Sequence, residues 1–444
     1  MTKARRFAAP VLVGLALVAA ACSNDVSTSG TNANPGGTTK PIDYAAVGLW
    51  NDGPCDPAKP TLKVGQMVVF ESPALSLKDQ ALALDASVKA FNSRGGANGS
   101  CIDVVTCDDG ANTDQSVACV RKIDEAGVVA TVNDLGTAGQ AEVSAAMQAA
   151  KIPRVASNVS NVDWADPNAY PMDASGTGYT FMAPQALLDS GVKDIGIIRV
   201  DIAAAAALKG LLADTFKEAT FPVDVPVATG TTDYSQFLLS AQSGGAKGVM
   251  LALGEQEATQ VVQAGQQLNS PLKIATSMVS QAQVVPLGQF SQQMVYLWSY
   301  LPSTVDLPVY EALRSDLAAS GEQGLQPANL NPNSMRSWIG LYALLWMIRN
   351  TKLTDFTRDN ITNMLKQAKD VPMLGMFGGE NWTPDTNHPG LYKRAGTNYW
   401  ATWKWDGQAA SPDGLPQGNF VKVSELSFDK VLCGTIFGAP ASSC

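Results

Sequence analysis

One histidine, His388, is present in 444 residues, and that limits the chemistry available. It lies in the turn-rich run from Phe377-Gly378-Gly379 to His388-Pro389, with no serine or cysteine nucleophile motif beside it. Neither a Ser-His-Asp relay nor a histidine-metal site can be assembled from it. The chain has no G-x-S-x-G, no P-loop and no G-x-G-x-x-G. Asp108-Asp109 could hold a metal or share a proton, but adjacent strand residues point to opposite faces. A turn at a strand end is the competing reading. What remains are groups that bind rather than react: Glu71, Ser72, Gly136, Thr137, Ser157, Asn158, Ser160, Asp201 and Glu257. Their significance depends on the elements that carry them.

The opening element is the apolar segment containing Leu62, Val64 and the run Met67-Val68-Val69-Phe70, patterned as a strand buried on both faces. Leu77, Ala81, Leu84, Val88 and Phe91 then alternate at spacings of four and three, which aligns them on one face of a helix. Asp85 and Lys89 form an i,i+4 pair on the other side. Gly95-Gly96 can end that helix, and Ile102 to Val105 supplies a second strand running into Cys107-Asp108-Asp109.

The alternation continues with a helix near Thr113 to Ala126, a strand at Val128 to Val132, a helix near Gln140 to Ala150 and a strand at Ile152 to Ala156. After an irregular stretch, Trp164 to Phe181, a second series begins: helix Ala183 to Ser190, strand Asp194 to Val200, helix Ala203 to Ala219, strand Val223 to Ala228, helix Tyr234 to Ser243, strand Gly248 to Leu253, helix Glu257 to Gln267 and strand Leu272 to Thr276. Met294 to Tyr300 is one more strand. Helices follow at Val309 to Ser320, Ser334 to Arg349 and Asp359 to Lys369, then a strand at Tyr399 to Trp405 and a tail with little periodicity. Trp338, Tyr342 and Trp346 are helically spaced and read as core. The pattern predicts an α/β fold of two doubly wound parallel-sheet lobes joined by a hinge.

The run "VVFESPALSLKDQALALDASVKAFNSRGGANGSCIDVVTCDDGANTDQSVACVRKI" resembles the opening of type 1 periplasmic solute-binding proteins, the family of the leucine/isoleucine/valine-binding protein. Ala90, Phe91, Asn92, Gly95, Gly96, Asn98 and Gly99, followed by Asp108-Asp109, carry the likeness, which continues through about Asn350. It implies that the helices between Val309 and Arg349 pack back on the first lobe. The expected division is a signal peptide over 1–21, a tether and lead-in over 22–60, lobe 1 over 61–178 with 303–350, and lobe 2 over 179–302 with 351–444.

Ligands of such folds sit beyond the carboxyl ends of the strands, in a cleft that closes on its contents. Glu71 and Ser72 follow the first strand, Asn133, Asp134, Gly136 and Thr137 the third, and Ser157, Asn158 and Ser160 the fourth. In amino-acid-binding relatives the third and fourth loops hold the α-carboxylate, and Thr137 and Ser160 match those positions. Each hydroxyl could instead cap a helix. Glu257, in "LALGEQEATQ", aligns with the family glutamate that pairs with a ligand ammonium, against the alternative of a carboxylate favoured by a helix start. Where relatives carry an aromatic residue and glycine after the fifth strand, this chain has Asp201-Ile202 and then five alanines, Ala203 to Ala207. That departure opens the ligand class to other small polar or amphipathic molecules.

Forty acidic residues against 31 basic ones argue against a nucleic-acid partner. Lys3, Arg5 and Arg6 followed by the apolar run Phe7 to Ala21 read as a signal peptide. Ala19-Ala20-Ala21-Cys22 resembles the bacterial lipobox, with alanine at the usual leucine position, so Cys22 is the expected lipidation site and membrane anchor. A plain secretory signal with Cys22 incidental is the alternative. Ser23 to about Pro41, rich in Ser, Thr, Asn and Gly, reads as a flexible tether.

The other six cysteines, Cys55, Cys101, Cys107, Cys119, Cys433 and Cys444, are an even set in an exported chain and predict three disulfides. Topology favours Cys55 with Cys101, at the starts of neighbouring strands, then Cys107 with Cys119 and Cys433 with Cys444. A zinc site at Cys101, Cys107 and Cys119 lacks both CxxC spacing and a nearby histidine. The resulting expectation is a monomeric lipoprotein on the outer face of the bacterial cell membrane. It needs no cofactor and captures a small polar solute, an amino acid or a related molecule, for the permease of an ABC importer. The rival expectations are a tethered sensor presenting its ligand to a receptor, and a lipid-anchored hydrolase.

Overall fold

The computed structural model of the chain describes residues 41–444 apart from 73–75, 136–137, 158–162, 202–204, 229, 408–417 and 436. The expected signal peptide, Cys22 and most of the expected tether lie outside the described residues.

The first series runs β1 (Leu62–Val68), α1 (Lys78–Ser93), β2 (Ile102–Asp108), α2 (Thr113–Glu125), β3 (Ala130–Val132), α3 (Gln140–Ala149), β4 (Arg154–Val155) and β5 (Ala169–Tyr170). All five strands are parallel, in the order β2-β1-β3-β4-β5. Alternation along β1 decides what each face packs against. Leu62 and Val64 join a core with α1, while Met67 points the other way, among Val120 and Ile123 of α2 and Val143 of α3. Asn112 caps α2, its side chain accepting from the backbone N–H of Asp114 and Gln115.

The second series runs α4 (Ser175–Asp189), β6 (Ile195–Val200), α5 (Leu208–Thr215), β7 (Asp224–Val227), α6 (Ser235–Ser243), β8 (Gly248–Ala252), α7 (Glu255–Gln267), β9 (Lys273–Thr276), α8 (Gln281–Val284) and β10 (Met294–Trp298). Then come α9 (Val309–Ala318), α10 (Pro332–Asn350), α11 (Arg358–Gln367), β11 (Tyr399–Trp405), β12 (Phe420–Ser427) and α12 (Phe428–Leu432). A seven-stranded sheet has the order β12-β11-β10-β9-β8-β6-β7; β11 and β12 are antiparallel additions to a parallel set. Its two faces fill separate cores. Val249, Leu251, Ile274, Tyr296 and Trp298 face one way; Met250, Ala275, Leu297 and Trp400 face the other, against Phe181 and Met182 of α4. The fold is therefore α/β with two lobes built on parallel sheets, and the three disulfides pair Cys55 with Cys101, Cys107 with Cys119, and Cys433 with Cys444.

Several boundaries differ from expectation. The sequence pattern places residues 351–382 in the second lobe, yet Ile361, Leu365, Phe377 and Trp382 are buried in the core that contains β1, α1 and α10. The amphipathic face of α11 had no sequence signal saying which lobe it would cover. The helix placed at Ala183 begins at Ser175, so Pro184 lies inside α4 rather than at its opening. The helix expected over 203–219 contracts to Leu208–Thr215. Phe420–Ser427, expected to be irregular, is an edge strand whose Val421 and Val423 are exposed, so its apolar residues do not trace a buried face.

Candidate functional site

A cavity of about 310 Å³ lies where the carboxyl ends of both sheets meet. Leu251, Ala252 and Leu253 at the end of β8, Ser277 and Met278 after β9, and Leu297 to Tyr300 at the end of β10 form one side, joined by Trp400 of β11. Leu135 after β3, Leu77 before α1, and Pro332, Asn333 and Arg336 in the first turns of α10 form the other. The start of α4 closes it with Ser175, Gly176, Tyr179 and Thr180. Tyr179 is locked in that wall: its hydroxyl donates to the carbonyl of Ala275 at 2.8 Å and accepts from the backbone N–H of Leu251 at 3.3 Å.

Behind this wall the three segments that run between the lobes, the first between β5 and α4, the second after β10 and the third before β11, are bound to one another. Asp173, fully buried, receives both terminal nitrogens of Arg336, at 2.6 and 2.9 Å. It also accepts from the hydroxyl of Ser299 and from the backbone N–H and hydroxyl of Ser175. Burial alone would raise the Asp173 pKa, but Arg336 and these donors outweigh it and hold the carboxyl below its ordinary value. The third connection joins through Thr397, whose N–H donates to the Met172 carbonyl at 2.7 Å. The hydroxyl of Tyr300 donates to the carbonyl of Pro332, and so ties the second connection to the start of α10.

A buried amide network fixes the other end of that helix turn. Asn133, just past β3, donates to Ser337 Oγ at 2.8 Å and to the Asn333 carbonyl at 3.0 Å. Gln66 of β1 and Gln80 of α1 both donate to the Asn133 carbonyl. Buried polar groups tolerate little displacement when their partners are this specific, so α10 presents Asn333 and Arg336 to the cavity from a rigid base.

The outer edge is acidic. Asp79, Glu255 and Glu257 line a hollow of about 280 Å³ with Ser72, Ser76 and Gln283. Glu255 Oε1 accepts from Gln283 Nε2 at 3.1 Å and its Oε2 from Asn331 Nδ2 at 2.9 Å. Burial, with the charge of Asp79, pushes its carboxyl up to about 7 despite those two donors. Burial and the neighbouring Glu322 likewise raise Asp79.

The profile of the family described as "Periplasmic binding protein" matches residues 61–398, more than two thirds of the chain. The chain belongs to the periplasmic binding protein family. Solved structures agree on the fold. A solute-binding protein of an ABC transporter from R. palustris, in complex with 4-hydroxybenzoate, superposes with a TM-score of 0.66 at 17% identity, covering 83% of this chain and 97% of that one. A fatty acid ABC transporter substrate-binding protein from Thermomonospora curvata gives 0.65 at 16%, covering 84% and 94%. A possible leucine/isoleucine/valine-binding protein from Rhodopirellula baltica gives 0.63 at 16%, covering 84% and 100%. No match is found among curated proteins.

In this periplasmic binding protein the residues singled out in the sequence fall into four groups. Gly136, Thr137, Asn158 and Ser160 lie outside the described residues. Ser72 and Glu257 come together on the acidic hollow, whereas Glu71 and Asp201 are exposed and neither lines the cavity. Ser157 is fully buried, with its hydroxyl unpartnered. Asp108 and Asp109 close a strand-end turn: Asp108 Oδ1 accepts from the N–H of Phe70 and Gly110, and Asp109 Oδ1 from that of Ala111. Asp134 is held in a buried ion pair with Arg154, Nε to Oδ2 at 2.7 Å. Sequence reasoning missed Glu255, Arg336, Trp298 and Trp400. Glu255 was detectable as the other first-turn carboxylate of α7; the two tryptophans stand in segments legible only as strands.

Proposed function

We propose that this protein captures a small solute between its lobes and delivers it to the permease of an ABC importer. The observation that carries the reading is the cavity itself, walled from both sheets at their strand carboxyl ends and backed by the Asp173–Arg336 clasp across the connections. Loops and helix starts converge at such places, and rotation about the connections would open and close the space between them. The relatives from R. palustris and Thermomonospora curvata are transporter solute-binding proteins, which supports the same role here. Binding without turnover fits the one histidine, since His388 is committed to Asp429 and the Gly396 carbonyl, away from the cavity residues.

In this reading the mature chain is exported and held at the outer face of the membrane through lipidated Cys22, and it acts as a monomer. Among the described residues no helix is long and apolar enough to cross a membrane. Apolar side chains dominate the cavity wall, which favours small amphipathic molecules over an amino acid as the solute. The test combines two measurements on purified protein. Mass spectrometry of small molecules released on denaturation identifies a carried solute, and small-angle X-ray scattering reads compaction when that solute is restored. A protein that releases nothing, and whose dimensions do not change with any medium component, would not be a capture protein.

A further inference from the structure

The acidic hollow draws its lining from both sides of the cleft. Ser72, Ser76 and Asp79 belong to the loop after β1 and the start of α1, on the first core; Glu255, Glu257 and Gln283 belong to α7 and α8, on the second sheet. The bond from Asn331 Nδ2 to Glu255 Oε2, 2.9 Å, spans this seam, and beside it α8 packs against the 3-10 turn Pro327–Asn329 that precedes α10. A motion that parts the lobes must break these contacts and admit water to the carboxyls of Glu255 and Asp79.

Charge around the seam is of one sign. Among the described residues lining the hollow no side chain is basic. Glu322 adds its negative charge to that of Asp79, and Lys78, which opposes it, is exposed. Of the elements packed on α7, α6 and the 3-10 segment Val285–Gln293 hold no charged residue, while the Tyr234 hydroxyl, ahead of α6, feels the charge of Glu257. Gln283 and Asn331, the two donors to Glu255, are neutral. With both carboxyls ionised, the closed seam would hold two negative charges in a space partly taken from water, without a basic neighbour in its described lining.

We propose that closure of the two lobes is coupled to uptake of a proton at this seam: Glu255 is neutral when the lobes are together and ionised when they part, so the cleft holds its solute more firmly in acid. This rests on the capture reading above, which supplies the motion, and adds its regulation. A neutral carboxyl keeps an oxygen to accept from Asn331, so the bond across the seam survives protonation. In the closed form burial and Asp79 push the Glu255 carboxyl up to about 7, against an ordinary 4.5 once water reaches it. The closed-to-open ratio therefore falls by up to about tenfold for each unit of pH gained across that interval, and is level above it.

The experiment is small-angle X-ray scattering of the purified, solute-free protein between about pH 5 and pH 8.5, on wild type, Glu255→Gln and Asp79→Asn. Circular dichroism at each pH shows that the fold is kept. Wild type should be most compact at the acid end, expand as pH rises and change little once Glu255 is ionised. Glu255→Gln, permanently neutral, should keep the acid dimensions throughout. Asp79→Asn removes a like charge from the facing lobe, so its expansion should be smaller than that of wild type. His388 titrates in all three proteins alike, bonded to Asp429 and the Gly396 carbonyl, so a difference between wild type and Glu255→Gln belongs to the seam. Wild-type dimensions that do not vary with pH overturn the coupling, as does an expansion that Glu255→Gln shows equally. An Asp79→Asn protein that expands as fully as wild type overturns the part given to like charge. None of these results touches solute capture, which the released-solute measurement and the compaction with solute restored decide at a single pH.

Discussion

Asn331 donates its side-chain amide to Glu255 Oε2 at 2.9 Å, so the residue that caps α10 also holds the first turn of α7. The same Asn331 uses its Oδ1 to accept from the backbone N–H of Ser334 at 3.0 Å, which leaves its amide group pointed away from the helix it caps. A helix cap on the first core and a helix start on the second sheet are thereby joined through one side chain.

Burial of that carboxyl, which outweighs the bond, sets a pH dependence. The Glu255 carboxyl is raised from 4.5 to about 7, so between those pH values the folded chain keeps a proton that the unfolded chain has released. Stability from this group is therefore present at acid pH and declines as pH climbs through the interval. Glu255→Gln, which stays neutral, should unfold like wild type at pH 5 and be more stable at pH 8, by on the order of 1–3 kcal/mol. Chemical denaturation at the two pH values checks this, and equal wild-type and variant midpoints at pH 8 would rule it out.

The Asp173–Arg336 pair gives a prediction of opposite sign. Asp173→Asn leaves a guanidinium 96% buried without its counter-charge, and removal of one partner from such a pair costs about 3–5 kcal/mol. The pairing also joins the first connection to α10, so the loss should raise the exchange rate of backbone amides near Met172 and Thr397 more than in β1. Hydrogen exchange read by mass spectrometry distinguishes this local loosening from uniform destabilisation. Uniform exchange across both lobes would argue against a clasp.

What the sequence reveals and conceals follows from which forces act locally. The repeated strand and helix elements were legible because Leu62, Val64 and Met67 alternate on β1 while Leu77 to Phe91 repeat at helical spacing; each pattern is written within a dozen residues. The pairing of Cys107 with Cys119 was legible for the same reason. The lobe to which 351–382 belongs was not, since Ile361 and Trp382 are apolar in any environment and only tertiary packing chooses their core. The cavity was concealed more deeply. Trp298 and Trp400 are as apolar as any core residue, and Arg336 looks like a surface cation on a helix until Asp173, 163 positions away, is placed beside it. Glu255 and Glu257 are two residues apart on α7, about 200° around the axis, so a small error in alignment exchanges the carboxylate bonded to Gln283 and Asn331 for one on another face.

His388 offers a titration free of overlap, because it is the chain's one histidine. Its Nδ1 lies 2.9 Å from Asp429 Oδ2 and its Nε2 2.7 Å from the Gly396 carbonyl. Both neighbours accept, so both ring nitrogens donate only in the imidazolium form. Burial alone would lower the His388 pKa; the Asp429 bond and charge outweigh it and raise the value above 6.5. Its contribution to stability is thus fully present below pH 6.5 and is lost as pH rises through the raised value. Nuclear magnetic resonance of the ring proton should give a midpoint above 6.5 in wild type and a lower one in Asp429→Asn. A wild-type midpoint below 6.5 would mean that burial dominates.

Gly178 links helix packing to the cavity. It lies within α4, where exchange for alanine would ordinarily add up to about 1 kcal/mol of helix preference. Here an added methyl would overlap the Trp400 ring and approach the Ala174 methyl to 2.6 Å, so the indole must move, and Trp400 is part of the cavity wall. Overpacking of this kind costs about 1–3 kcal/mol, which exceeds the helix gain. Gly178→Ala should therefore lower the unfolding temperature and shift tryptophan emission. It should also weaken whatever solute the cavity holds, since the displaced ring enters the space the solute would occupy. Gly210→Ala is the matched control, because a methyl there meets open space within α5 and should leave stability unchanged or slightly raised. A Gly178→Ala protein as stable as that control would show that Trp400 is free to move aside without cost.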